Sequence, residues 1–161
     1  MTFVELTDDV LRIDTVNPPT TEHEPLHVHP KQVSGTEVVS GSLVFEIRSE
    51  RRRVAAGERV EIPPNTPHRF YNDGDTDAHH IQFFRPGLDI ASLFETAFAL
   101  EQQGKVGADG MPPPLQLAVM VPEFGDELRP VSPPWPLLRA LSAVLAPIAR
   151  RRGYRARVAL P

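Results

Sequence analysis

The sequence predicts an all-β jelly-roll barrel followed by C-terminal α-helices. Three observations carry this. From Phe3 to about Pro86 the chain reads as short runs of period-two alternation, turn residues separate those runs, and after Arg85-Pro86-Gly87 the apolar spacing becomes helical. A chain of 161 residues buries one proper core and is short for two ordinary domains, so the expected organisation is a barrel domain, 1–87, and a helical, Pro-rich extension, 88–161. The extension is expected to pack on the barrel or on a partner chain.

Within the barrel region Leu43, Phe45 and Ile47 alternate with Val44, Glu46 and Arg48, and Val60 and Ile62 alternate with Arg59 and Glu61. One face of each strand is then core and the other wet. Ser40-Gly41-Ser42, Ala56-Gly57-Glu58, Pro63-Pro64-Asn65 and Asn72-Asp73-Gly74-Asp75 supply the turn chemistry. The count is roughly eight strands, the size of one jelly-roll module. Beyond the barrel, Leu93, Phe94, Ala97, Phe98 and Leu100 follow a helical spacing behind Asp89, an N-cap candidate, with Gly104 as a stop. The apolar stretch LQLAVMV is ambiguous between helix and strand. A last helix is expected to carry an apolar stripe of Leu138, Leu141, Leu145 and Ile148, to kink at Pro147 and to end at Gly153.

Composition removes several classes of function. Without cysteine there is no disulfide framework, thiolate zinc site or cysteine nucleophile, so any metal must be held by nitrogen or oxygen. The N-terminal segment MTFVELTDDVLRID is acidic where a secretory leader is basic, and a cytoplasmic location is expected. A net charge of -4 argues against nucleic acid as a partner. Residues 137–161 nevertheless carry six arginines and no acidic residue. Such a basic helix is able to lie on an anionic membrane, but docking on the acidic barrel is the favoured reading. Phosphate-loop, nucleophile-elbow and helical zinc-protease patterns are missing.

All six histidines fall between residues 23 and 80. His27 and His29 lie two apart, so on a strand their side chains share a face, the geometry that chelates one ion. His68 follows a Pro-rich turn on a strand that places it with Phe70 and Asn72. Three neutral imidazoles suit one face of a metal's coordination sphere. His79 and His80 are adjacent on a strand, so one points in and the other out; His80 shares its face with Gln82 and Phe84. His23 is expected to be exposed, Arg51-Arg52-Arg53 to be a solvated hairpin, and Phe45, Phe70 and Phe83 to be barrel core or pocket wall.

These residues resemble the cupin family, whose first motif reads G-x5-H-x-H-x(3,4)-E-x6-G and whose second reads G-x5-P-x-G-x2-H-x3-N. Gly57, Pro63, His68 and Asn72 match the second motif, with Asn65 at the middle glycine, a residue that tolerates a left-handed turn. His27, His29 and Gly41 match the first, but Thr21 replaces its opening glycine and Ser34 its glutamate ligand. The resemblance covers about residues 20 to 86. It implies a divalent metal (iron, zinc, manganese or nickel) on His27, His29 and His68, a small-molecule substrate or ligand, and a homodimer. Glu37 is a poor substitute for the missing glutamate because its odd offset turns it to the opposite face. Ser34, the Gln32 amide oxygen, Phe70, His80 and Gln82 are the other candidates for the fourth position or the pocket. The resemblance allows a metal-dependent enzyme, dioxygenase-like or cyclase- and isomerase-like, with no acid or base assigned. It equally allows a non-catalytic binding or sensing domain with a degenerate site, or a barrel that serves as a dimerisation platform.

Overall fold

The computed structural model describes residues 1–107 and 110–159. Two compact units divide the chain, Met1–Leu88 and Asp89–Pro161, and each is taken by itself.

The first unit holds nine strands: β1 (Thr2–Leu6), β2 (Leu11–Asn17), β3 (His27–Val28), β4 (Val33–Ser40), β5 (Ser42–Ile47), β6 (Glu50–Ala55), β7 (Arg59–Ile62), β8 (His68–Tyr71) and β9 (Ala78–Arg85). One sheet runs β1-β2-β9-β4-β7 and the other β3-β8-β5-β6, with antiparallel pairing throughout. This is one strand more than the sequence suggests. The N-terminal stretch folds back at Thr7, whose N–H donates to the Val10 carbonyl at 2.9 Å and whose Oγ1 accepts from the Val10 N–H at 3.1 Å, dividing it into β1 and β2.

Register sorts the two faces of the first sheet. Ser34 pairs with Phe84, Thr36 with Gln82 and Val38 with His80, so these side chains share the inner face with Leu11 and Ile13. Val38, Leu43, Phe45, Val54, Val60, Ile62 and Ala78 form a buried apolar cluster. The turn residues do what their chemistry predicts, with Gly41 and Gly57 at φ +74° and +83° and Asn65 at φ +57° in the left-handed region.

Two side chains sit elsewhere than expected. Phe83 is buried on the outer face, opposite the inner one that carries Phe84, because Gly35 lets it lie flat there beneath the guanidinium groups of Arg59 and Arg85, 4.2 and 5.3 Å from its ring centroid. Val44, assigned to a wet face, is buried. Its register partner Tyr71 is buried too and donates its hydroxyl to Glu46, which also accepts from Arg51 and Arg69, so this outer face is roofed by a charged network.

In the second unit, α1 spans Ile90–Gln102, α2 Pro114–Phe124 and α3 Trp135–Arg151, with a two-residue strand, β10, at Arg129–Pro130. The ambiguous stretch LQLAVMV is therefore helical, entered through Pro114 at a first-turn position where its missing N–H costs nothing. Asp89 precedes α1 but does not cap it; its carboxylate accepts from Arg157, a full-charge partner that outcompetes the helix N–H groups. Gly104, at φ +64°, follows the end of α1. α3 continues through Pro147, and Gly153 at φ +88° follows its last turn.

The buried face of α3 corrects the expected stripe. Ser142, Ala146 and Ala149 are the buried residues, and Val119 of α2 clusters with both alanines. Of the expected stripe, Leu138 and Leu145 are half-buried and Leu141 and Ile148 are exposed. Small side chains let two helices approach closely, so the contact with α2 uses the alanine face. Among the described residues no helix is long and apolar enough to cross a membrane.

Candidate metal centre

Three backbone devices bring His27, His29 and His68 together. β3 is only two residues long, and its His27 is the register partner of His68 on β8. Just beyond it, the His29 carbonyl accepts the Asn65 N–H at 2.8 Å, which ties the chain after β3 to the left-handed turn before β8. The ring centroids lie 4.5 Å apart for His27–His68, 5.2 Å for His27–His29 and 5.3 Å for His29–His68. One nitrogen from each ring lies within 4.8 Å of the other two, and all three residues are buried.

Their hydrogen bonds set the tautomers. The His27 Nδ1 faces the Pro25 carbonyl at 3.1 Å and the His68 Nδ1 faces the Thr66 carbonyl at 2.8 Å, so these nitrogens carry the protons and donate. Nε2 of each ring then keeps a lone pair. Burial disfavours the imidazolium and lowers the pKa of His27; it lowers that of His68 to about 4, with a smaller push from His27. Three neutral nitrogen donors on one side of a centre are the donor set that zinc and the mid-row divalent metals accept.

Two buried side-chain oxygens on neighbouring stretches of the barrel lack a hydrogen-bond partner. Phe84 packs edge-on against His29 at 5.1 Å and is the register partner of Ser34. The buried Ser34 Oγ has no hydrogen-bond partner, and neither has the buried Oε1 of Gln32, whose amide nitrogen is committed to the carbonyls of Pro86 and Gly87 at 2.9 and 3.0 Å. Buried oxygens of this kind normally have a partner, and a bound ion with its water would supply one. Glu37 lies on the outer face, held by Arg12 at 2.9 Å and Arg59 at 2.6 Å.

His80 is inward and fully buried. Its Nε2 meets the Asn17 Oδ1 at 2.7 Å, its Nδ1 is a buried acceptor without a donor, and Phe70 packs against it at 5.6 Å. Its outward neighbour His79 pairs with Asp14 at 2.9 Å. Gln82 and Phe70 are half-buried, Phe70 stacking on Phe45 at 5.3 Å. His23 is exposed, but its ring stacks on Tyr71 at 3.7 Å. Asn72 is structural: its amide nitrogen donates to the carbonyls of Asn17 and Thr76.

Sequence reasoning missed Glu24. It carries no motif, yet its Oε1 accepts the Phe70 N–H at 3.3 Å, on the strand pair that bears His27 and His68. The residue keeps solvent access, while desolvation by the protein around its carboxyl raises the pKa to about 7.

The depressed histidines predict an acid-sensitive fold. An unfolded imidazole binds its proton near pH 6.5, whereas buried His80 does so only near 4, because burial and then the neighbouring His79 oppose the charge. Its contribution is complete above pH 6.5 and is lost as pH falls from there through 4. At about 1.4 kcal/mol per pKa unit this amounts to about 3 kcal/mol. Thermal melts of chelator-treated protein should show a falling Tm between pH 7 and 5, with a shallower slope in His80→Asn. A flat Tm across that window contradicts the assignment.

Residues 15–84 match the family profile described as Cupin domain. Among solved structures, KdgF from Halomonas sp. aligns with 24% identity over 56% of this chain and 80% of its own, at a TM-score of 0.51. An uncharacterized conserved protein with a double-stranded beta-helix domain from Klebsiella pneumoniae subsp. pneumoniae MGH 78578 aligns with 22% identity over 53% and 70% of the two chains, at 0.49. DMSP lyase DddQ from Ruegeria pomeroyi DSS-3 aligns with 21% identity over 52% and 41%, at 0.46. No curated protein sequence matches the chain. The likeness to KdgF shows the fold alone and leaves the reaction to the site.

Proposed function

We propose, from the match of residues 15–84 to the Cupin domain profile and the histidine cluster, that His27, His29 and His68 hold one divalent metal ion, iron, zinc, manganese or nickel, and that the barrel uses it on a small organic molecule. The observation that carries this reading is the convergence of three buried imidazoles, of which His27 and His68 are held toward the neutral form by burial. When bound, such an ion acts as a Lewis acid toward a ligand oxygen or, if iron, as a redox centre. The chain's own residues shape what it meets. Ser34, on the inner face beside Phe84, leaves the ligand set without negative charge, which favours an anionic or oxygen-rich ligand. Phe70 and Phe84 provide apolar wall, and the bare His80 Nδ1 offers an acceptor to a hydroxyl or N–H donor.

Dioxygenase-like or cyclase-like chemistry is the enzymatic form of this reading. A second form, a binding or sensing domain without turnover, is favoured by Ser34 at the family's glutamate position and by Glu37 being engaged on the outer face. Elemental analysis of protein prepared without a polyhistidine tag comes first, and about one divalent ion per chain is expected. Ser34→Glu then adds a carboxylate to the set. Isothermal titration should show metal binding tightened by about tenfold or more, with weaker competition by acetate. Equal or weaker affinity in a folded Ser34→Glu protein would mean that Ser34 does not face the metal.

A further inference from the structure

The helical unit presents a surface that the barrel chemistry does not use. Leu137, Leu141, Val144 and Ile148 of α3 are 51, 49, 68 and 43% exposed. Their spacing of four, three and four residues puts them on one continuous face, distinct from the Ser142, Ala146 and Ala149 face buried in the fold. At 1.5 Å per residue this stripe runs for about 16 Å. Its end is basic. Arg151 and Arg152 follow Ile148 by three and four residues, the offsets that continue the same face. Among the described residues none of Arg139, Arg150, Arg151 or Arg152 has a carboxylate partner, whereas Arg157 is held by Asp89 and Glu123.

We propose that this face of α3 docks on an anionic lipid bilayer, with the apolar stripe entering the interfacial layer and Arg151 and Arg152 meeting lipid phosphates. Charge selects this occupant over a second copy of the chain. Residues 137–161 contain no acidic side chain, so antiparallel pairing of two α3 helices along the stripe would set Arg151 and Arg152 of each beside Leu137 of the other, with no carboxylate of either helix to meet them. A bilayer rich in phosphatidylglycerol pairs Arg151 and Arg152 with phosphates and buries the stripe residues. Exposed apolar area and basic side chains contribute together to such binding, and neither alone anchors a helix of this length.

The test is sedimentation of the full chain with vesicles of phosphatidylcholine alone and of phosphatidylcholine containing about 30% phosphatidylglycerol. Binding to the anionic vesicles only is expected, weakened by raising salt from about 0.05 to about 0.5 M. Leu141→Asp/Val144→Asp should lower the partition coefficient by about tenfold or more, as should Arg151→Glu/Arg152→Glu. These sites are exposed, so circular dichroism should match the wild type. The proposal is overturned if the wild type ignores anionic vesicles or if the stripe variant binds them as tightly. It is also overturned if the wild type is a dimer that the stripe variant dissociates without any lipid binding, which would assign the face to a second copy.

Discussion

His68→Ala is expected to purify with little or no bound metal. His68 contributes one of three clustered donors, and its ring is oriented by the Thr66 carbonyl rather than by solvent. Removing it leaves two imidazoles and a small buried void. Loss of a residue that merely orients a ligand costs 10- to 100-fold in affinity, so loss of a ligand should cost about 100-fold or more. The readouts are metal per chain and titration of the chelator-treated protein with zinc. His68→Gln keeps much of the volume and guards against a folding defect. His79→Ala, whose ring pairs with Asp14 on the outer face, should retain full metal. A stoichiometric ion in either His68 variant would show the ligand set to be wrong.

The second large effect is expected at Gly35. An added Cβ there would lie 2.3 Å from Cζ of Phe83 and 2.4 Å from the Val60 carbonyl oxygen, both inside contact distance. The requirement is for close approach, and no left-handed backbone is involved. The ring can yield, but the carbonyl belongs to β7, paired with β4 through Gly35↔Glu61 and Thr36↔Val60, so relief means opening the ladder. Gly35→Ala should therefore cost about 3 kcal/mol or more, at the upper end of overpacking effects. Adding Phe83→Ala should not rescue it, because the carbonyl clash remains. Urea unfolding measures both. A loss below about 0.5 kcal/mol would mean that β4 and β7 are not packed as described. Ser34 adjoins Gly35, so metal affinity should fall with stability.

Much of the site was legible because strand geometry is local. Period two places His27 with His29, separates His79 from His80 and turns Glu37 away from Ser34; no long-range information enters. Turn chemistry is local too, and an asparagine at position 65 announces the left-handed residue whose N–H ties down His29. The errors have a common origin. Asp89 is a good cap by type, but Arg157, 68 residues later, takes its carboxylate. Phe83 alternates correctly with Phe84, yet only the bare backbone at Gly35 and two distant arginines explain why an outer-face phenylalanine is buried. Glu24 shows no pattern because its environment is made by β8.

The helices divide in the same way. Helical spacing gave α3 an apolar stripe of Leu138, Leu141, Leu145 and Ile148. The packed face is instead the one bearing Ser142, Ala146 and Ala149. By itself, then, the sequence determined which residues share a face, where the chain turns and which side chains are able to bind metal, since these follow from backbone geometry within a few residues. Which face is covered, which carboxylate is already paired and whether three imidazoles meet were decided by the tertiary structure. Those outcomes depend on strand register and helix approach, which join residues far apart in the chain and are chosen by the packing of the whole unit.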